Sequence, residues 1–157
     1  MVSDNYRKIY PIKENLYFGI TGIYEKGLDI LNLIKRIKWD SRIELVKKSL
    51  SCFDNYCICR KLQKMTMVIA GKDEEGLFIL QRNILGDELD VNFIEGSEGI
   101  KFAFNGPDNT KDLEKYLKDK IISGQTVKNS IIETIGYAST VNNSISREYD
   151  FYEIDNP

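Results

Sequence analysis

NYRKIYPIKENLYFGITG, residues 5–22, is the stretch whose reading decides the fold. Arg7 to Ile12 and Asn15 to Thr21 are rich in apolar, aromatic and β-branched residues, and the polar pair Lys13-Glu14 separates them. That pattern predicts two short strands in a hairpin, followed at once by a helix. Residues 65–81, MTMVIAGKDEEGLFILQ, repeat the design, with an apolar strand, a charged turn ending in Gly76 and a second apolar strand. Two hairpins with two helices between them predict an α+β layered fold rather than a helical bundle.

Composition narrows the chemistry. The 157 residues predict one domain, 1–157, large enough to bury roughly two thirds of its unfolded surface without a metal or a disulfide. Apolar residues make 42% and charged residues 29%, with a net charge of -2, so the basic bias of nucleic-acid binders is missing. Cys52, Cys57 and Cys59 lie too close together to close a useful loop, and the odd count reads as reduced thiols in a cytoplasmic protein. The opening residues Met1, Val2, Ser3 and Asp4 lack the features of an export signal, and no run of 18 apolar residues could span a membrane. Histidine is absent altogether. That removes Ser-His and Cys-His nucleophile activation, imidazole bases and every zinc pattern that needs a His ligand.

Beyond the first hairpin, Tyr24 to Lys38 carries Ile30, Leu31, Ile34 and Ile37 at helical spacing, with Lys35, Arg36 and Lys38 where the helix dipole favours cations. Ser41-Arg42-Ile43-Glu44 fits a capping box, and Ile43, Val46, Leu50, Phe53 and Cys57 are expected to line the buried face of a second helix reaching about Arg60. The strand Met65 to Gly71, apolar on both sides of the pleat, should pair with Leu77 to Arg82. Leu89, Val91 and Phe93 alternate with polar residues, as do Ile100, Phe102 and Phe104, which predicts two further strands. Leu113, Tyr116, Leu117 and Ile121 return to helical spacing, and Val127, Ile131, Ile135 and Ala138 mark a last helix in which Gly136, Ala138 and Ser139 would allow close approach to a neighbour. Arg147 to Ile154 reads as a closing strand, which would complete two sheets face to face with a helix pair on each outer side.

Four stretches in this order, YRKIYPIKENLYFGITG, VIAGKDEEGLFILQ, KFAFNGPDNTKDLEKYL and ASTVNNSISREYDFYEI, resemble the proteasome family of N-terminal-nucleophile hydrolases. The resemblance implies a four-layer αββα sandwich, shortened here at its N-terminus. In that family a leading Thr attacks with its hydroxyl while its own α-amine serves as base, which needs no imidazole. Lys8 falls where the family keeps the lysine that tunes the nucleophile by charge. Asn143 and Ser146 fall on the family's Asp-x-x-Ser-Gly motif, with Asn143 in place of the carboxylate and Arg147 in place of the glycine. Asn105 and Gly106 stand at its Gly-Ser-Gly turn, so the hydroxyl is lost while the turn is kept. Gly22 matches a substrate-binding glycine, and Ile20 and Tyr24 fall where side chains line the specificity pocket. Each position also has a plain structural reading: a solvent-facing strand lysine, a polar helix-capping loop, a tight turn and a strand-end glycine.

The family's Thr-bearing strand has no counterpart in Met1 to Asp4. The resemblance therefore implies a non-catalytic, structural or oligomer-forming homologue with a vestigial site. Its expected partner is a second copy of the chain, through a sheet edge left open, with unfolded polypeptide as the other partner class. Alternatives are a threonine-type endopeptidase whose nucleophile strand lies outside this sequence, and a small-ligand-binding domain using the cleft between the sheets. No cofactor, metal, nucleic acid or membrane is called for.

Other constellations have simple readings. Asp73-Glu74-Glu75 and Asp87-Glu88 read as solvated hairpin turns. Cys57-Ile58-Cys59 is too tight for a redox or zinc pair, so buried packing accounts for at least one thiol. Trp39 reads as a core or interface anchor between the first two helices.

Overall fold

The computed structural model describes residues 7–95, 110–142 and 152–154. The chain divides into two compact units: one holds the described residues 8–95 and 152–154, the other residue 7 and residues 110–142.

In the larger unit, β1 (Ile9–Lys13), β2 (Leu16–Thr21), β3 (Lys64–Asp73), β4 (Gly76–Leu85) and β5 (Glu88–Glu95) form one antiparallel sheet in the order β1-β2-β3-β4-β5. The two expected hairpins are present, each closed by a two-residue loop: Lys13 pairs with Leu16, and Asp73 with Gly76. Asp73 and Gly76 stand at the first and last positions of their turn, where type I turns favour those residues, and the Asp73 carboxylate accepts from the Glu75 N–H at 2.8 Å.

Between the hairpins lie α1 (Tyr24–Lys35) and α2 (Arg42–Cys59). Both cover the sheet face that carries Leu16, Phe18, Ile20, Met65, Met67, Ile69, Phe78, Leu80 and Ile84. Ile30, Leu31 and Ile34 of α1 and Leu45, Phe53 and Cys57 of α2 complete this core. Phe53 is fully buried, so truncating it to Ala would cost about 3–5 kcal/mol through lost transfer energy and a cavity. Trp39 packs on the core margin with the Lys13 ammonium 4.7 Å from its ring centroid.

The capping box forms with a twist. Ser41 Oγ accepts from Glu44 N–H at 3.3 Å, whereas the Glu44 carboxylate reaches past Ser41 to the Asp40 N–H at 3.2 Å.

The buried face of α2 agrees with the expected one at Phe53 and Cys57 and differs elsewhere: Ile43 is 64% exposed, while Arg42, Leu45, Ser49 and Tyr56 are buried. Val46 and Leu50 sit at the flank. The helix is rotated because Arg42 must turn inward to reach the β3–β4 turn, and Leu45, Ser49 and Phe53 follow it at spacings of three, four and four residues.

The smaller unit contains α3 (Thr110–Ile122) and α4 (Val127–Val141). Tyr116 of α3 stacks on Tyr137 of α4 with centroids 4.4 Å apart, and Lys120 pairs with Glu133 at 2.8 Å. On α4 the buried residues are Ser130, Thr134 and Ala138; of the expected row Val127, Ile131, Ile135 and Ala138, only Ala138 is among them. Their hydroxyls are satisfied within the helix, Ser130 donating to the Thr126 carbonyl at 2.8 Å and Thr134 to the Ser130 carbonyl at 2.7 Å, so burying them leaves no orphan donor. Among the described residues Gly136 makes no close approach, for a Cβ built there meets none of their atoms within 4 Å.

All five described strands belong to one sheet. The strand expected at Ile100, Phe102 and Phe104 lies outside the described residues. Of the closing strand expected over Arg147 to Ile154, only Tyr152, Glu153 and Ile154 are described; they carry no strand, and the Tyr152 ring lies 4.6 Å from that of Tyr17.

Candidate functional site

The residues singled out in the first hairpin fall around the β2–α1 junction. Lys8 is exposed just before β1, its carbonyl 3.7 Å from a Cβ built on Gly19. Ile20 is core, held under α1 so closely that a Cβ on Gly27 would lie 2.7 Å from it. Gly22 has φ +116°, and a Cβ there would stand 2.5 Å from Met65 Sδ and 2.6 Å from the Lys64 carbonyl, so the chain needs glycine to turn here. Tyr24 opens α1, and its hydroxyl is 3.1 Å from that of Tyr10. Asn105, Gly106, Asn143 and Ser146 lie outside the described residues.

The strongest polar cluster is one that sequence reasoning passed over. The Arg42 side chain, 4% exposed, donates from Nε to Asp73 at 2.7 Å, from Nη1 to Glu95 at 3.0 Å, and from Nη2 to Asp73 and to the Gly76 carbonyl at 2.8 Å. Its guanidinium also lies 4.8 Å from the Phe78 ring centroid, and Glu75 is 3.7 Å away. The turn read as solvated is thus a clamp. A planar five-donor fork can hold several acceptors at once, which a point-charge ammonium cannot. The guanidinium holds the Asp73 carboxyl below its usual range, and Asp73 in turn raises Arg42. The available signal was the acidic run 73–75 facing the only cation of the capping box.

Other polar groups are likewise tied into structure. Arg82 of β4 grips Asp54 of α2 at 2.9 and 2.6 Å. Tyr56 donates to Asp29, joining α2 to α1, and burial with that bond pushes its hydroxyl up to about 12. Burial, with Asp54 nearby, pushes the Cys57 thiol up to about 11, the wrong direction for a nucleophile. No cluster of three or more His, Cys, Asp or Glu side chains suited to a metal occurs among the described residues. Nor is any helix among them long and apolar enough to cross a membrane.

Among the described residues, β5 is a strand that pairs on one side only, with β4. Its register with β4 runs unbroken from Leu85–Glu88 to Phe78–Glu95. Leu89, Val91 and Phe93 lie beside Ile84, Arg82 and Leu80, on the face that α1 and α2 cover. Yet they are 48, 47 and 39% exposed, because the helix pair ends its cover at β4. The Phe93 ring meets Phe78 at 6.3 Å, and Arg42 pins the end of the strand through Glu95. Chemically, β5 offers a row of backbone donors and acceptors flanked by an apolar ridge.

No model of a known protein family matches this chain, and no curated protein matches it.

Proposed function

We propose that this chain is a non-catalytic protein that works by self-association, through the open side of its sheet. The observation that carries this reading is the contrast between its charged groups and its outer strand. Arg42, Arg82, Asp54, Asp73 and Glu95 are engaged in joining elements, whereas Leu89, Val91 and Phe93 stand on the surface in one row. An uncovered strand edge with an apolar ridge is the usual template for adding another strand.

The proteasome-like relationship and its four-layer αββα sandwich belong to the same proposal. The order of hairpin, helix pair, strands and helix pair supports them. So does the sheet face turned away from α1 and α2, where Thr21, Thr66, Val68, Ala70 and Ile79 present small or apolar side chains of the kind a second β layer packs upon. In this reading Lys8, Asn143 and Ser146 are remnants of a catalytic site.

Static light scattering over rising protein concentration, run beside a peptide-hydrolysis assay, tests the function. The expected result is a mass that climbs above the monomer with no amide cleavage. A constant monomer mass, or turnover of a peptide, would overturn it.

A further inference from the structure

The geometry points to a two-fold dimer in which β5 of one copy pairs antiparallel with β5 of a second, Val91 opposite Val91, joining two five-stranded sheets into one. This rests on the self-association proposed above and names its surface and register.

Backbone direction sets the first condition. The β4–β5 loop has two residues, Gly86 and Asp87, between the paired Leu85 and Glu88. Gly86 has φ +61°, the left-handed value that the first loop position of a type II′ turn requires. In such a hairpin the flanking pair exchanges both hydrogen bonds, and the pattern alternates along the strand. Glu88, Asp90, Asn92 and Ile94 therefore turn their N–H and C=O groups toward β4. Those of Leu89, Val91 and Phe93 turn outward, where a new strand would meet them.

Side chains set the second. A two-fold axis at Val91 places Leu89 opposite Phe93 of the second copy, and Phe93 opposite its Leu89, so the exposed ridge becomes one continuous apolar ladder. On the other face Asp90 meets Asn92, and Glu88 meets Ile94, with no carboxylate opposite a carboxylate. Moving the axis to Asp90 would set Asp90 against Asp90, like charges directly opposite, and moving it to Asn92 would break the apolar ladder by setting Leu89 against Glu95. The Val91 register has its own like-charge pair, Glu95 with Asp87 of the second copy beyond the apolar ladder, and there Arg42 already binds Glu95 at 3.0 Å. The same patch thus complements itself, which is the requirement for a closed two-fold pair.

β1, at the other side of the described sheet, does not offer this. β1 contains Pro11, which has no N–H to donate, and its register with β2 shifts between Pro11 and Lys13. A head-to-tail β1–β5 chain of copies is therefore disfavoured, leaving the closed dimer.

Sedimentation velocity on the full chain and two charge variants tests the inference, with circular dichroism confirming that each is folded. Because a single strand pair makes a small interface, the series extends to about 0.1 mM protein. Val91→Lys and Val91→Glu are each expected to raise the dimer dissociation constant about tenfold or more, and their equimolar mixture to restore it to within about threefold of the parent, since the two charges then face each other. Asn92→Lys, which meets Asp90 of the second copy twice, should tighten the dimer about threefold, a gain that misfolding cannot mimic. A parent dimer unmoved by the Val91 variants sinks this interface while leaving self-association standing. Failure of the folded mixture to re-form the dimer, or no gain from Asn92→Lys, sinks the register. A parent that stays monomeric throughout sinks both the inference and the reading beneath it.

Discussion

β1 and β5 are the two flanks of one sheet, and they handle the same physical problem differently. Among the described residues each has a neighbouring strand on one side only. β1 is five residues long, carries Pro11, breaks register before Lys13 and is bracketed by Lys8 and Lys13. Proline, a bulge and lysines are the usual protections of an edge against chance pairing. β5 is eight residues long, keeps one register throughout, and has neither proline nor lysine. Its charges are all acidic, and those that share the face of the apolar ridge are confined to Glu95, which Arg42 holds. The difference teaches that β1 carries the features that discourage strand addition, whereas β5 carries no proline, no lysine and no shift of register.

The contrast can be broken most forcefully at Arg42. Arg42→Met removes the fork that ties the β3–β4 turn to the end of β5, leaving Asp73 without its cation. Because the carboxylates keep some water, the expected loss is about 2–3 kcal/mol, below that of a wholly buried pair. Urea unfolding checks it, and a loss under about 0.5 kcal/mol would show that the clamp is ornamental. Association through β5 should weaken in the same variant, since its Glu95 end is no longer pinned.

Acid probes the same tether more gently. The Asp73 carboxyl is lowered by Arg42, so its contribution to stability is complete above the unfolded carboxylate value of about 4 and is lost as pH falls through the lower folded value. Stability measured from neutral pH downward should therefore decline across that acid range, and the decline should shrink in Arg42→Met. An identical pH profile in both proteins would separate Asp73 from the clamp. Tyr56 has the opposite sign. Raised from about 10 to about 12, it contributes fully below pH 10 and loses its contribution as pH rises through 12, which ultraviolet titration of parent and Tyr56→Phe would display.

Pro11→Ala sharpens the contrast on the guarded side. The bulge and both lysines remain, so association should stay within about twofold of the parent and stability within about 1 kcal/mol. A large rise in sedimenting mass would assign the protection of β1 to the proline alone. The smallest effect is expected from the thiols. Cys59 is exposed and Cys57 buried, so an alkylating reagent should modify Cys59 first, reach Cys57 only on unfolding, and leave association unchanged. A dimer lost on Cys59 alkylation would move the interface from β5 to the end of α2.

Much of this architecture was legible in the residues because it rests on short-range rules. Lys13-Glu14-Asn15 and Asp73-Glu74-Glu75-Gly76 have turn chemistry, Ser41 has a hydroxyl that caps, and Ile30, Leu31 and Ile34 share a face by helical spacing alone. The buried side of α2 was read correctly at Phe53 and Cys57 but misread nearer its start, because Ile43, Val46 and Leu50 satisfy the helical period as well as Leu45 and Ser49 do. A bond from Arg42 to Asp73, across 31 residues of sequence, chose between them. On α4, hydrophobicity pointed to Ile131 and Ile135, but Ser130 and Thr134 satisfy their own hydroxyls and can be buried at little cost. Of the site inferred through the resemblance, Lys8, Ile20, Gly22 and Tyr24 fall in or beside the first hairpin, and Ile20 is occupied in packing.

By itself the sequence determined the elements, their turns and caps, and the range of chemistry open to a chain without histidine, since each depends on residues a few positions apart. Only the tertiary structure decided which strand ends the sheet, how far the helix pair extends over it, and which carboxylates Arg42 gathers. Those outcomes come from packing and pairing between segments far apart in the chain, where several local patterns are equally good and the three-dimensional arrangement selects one.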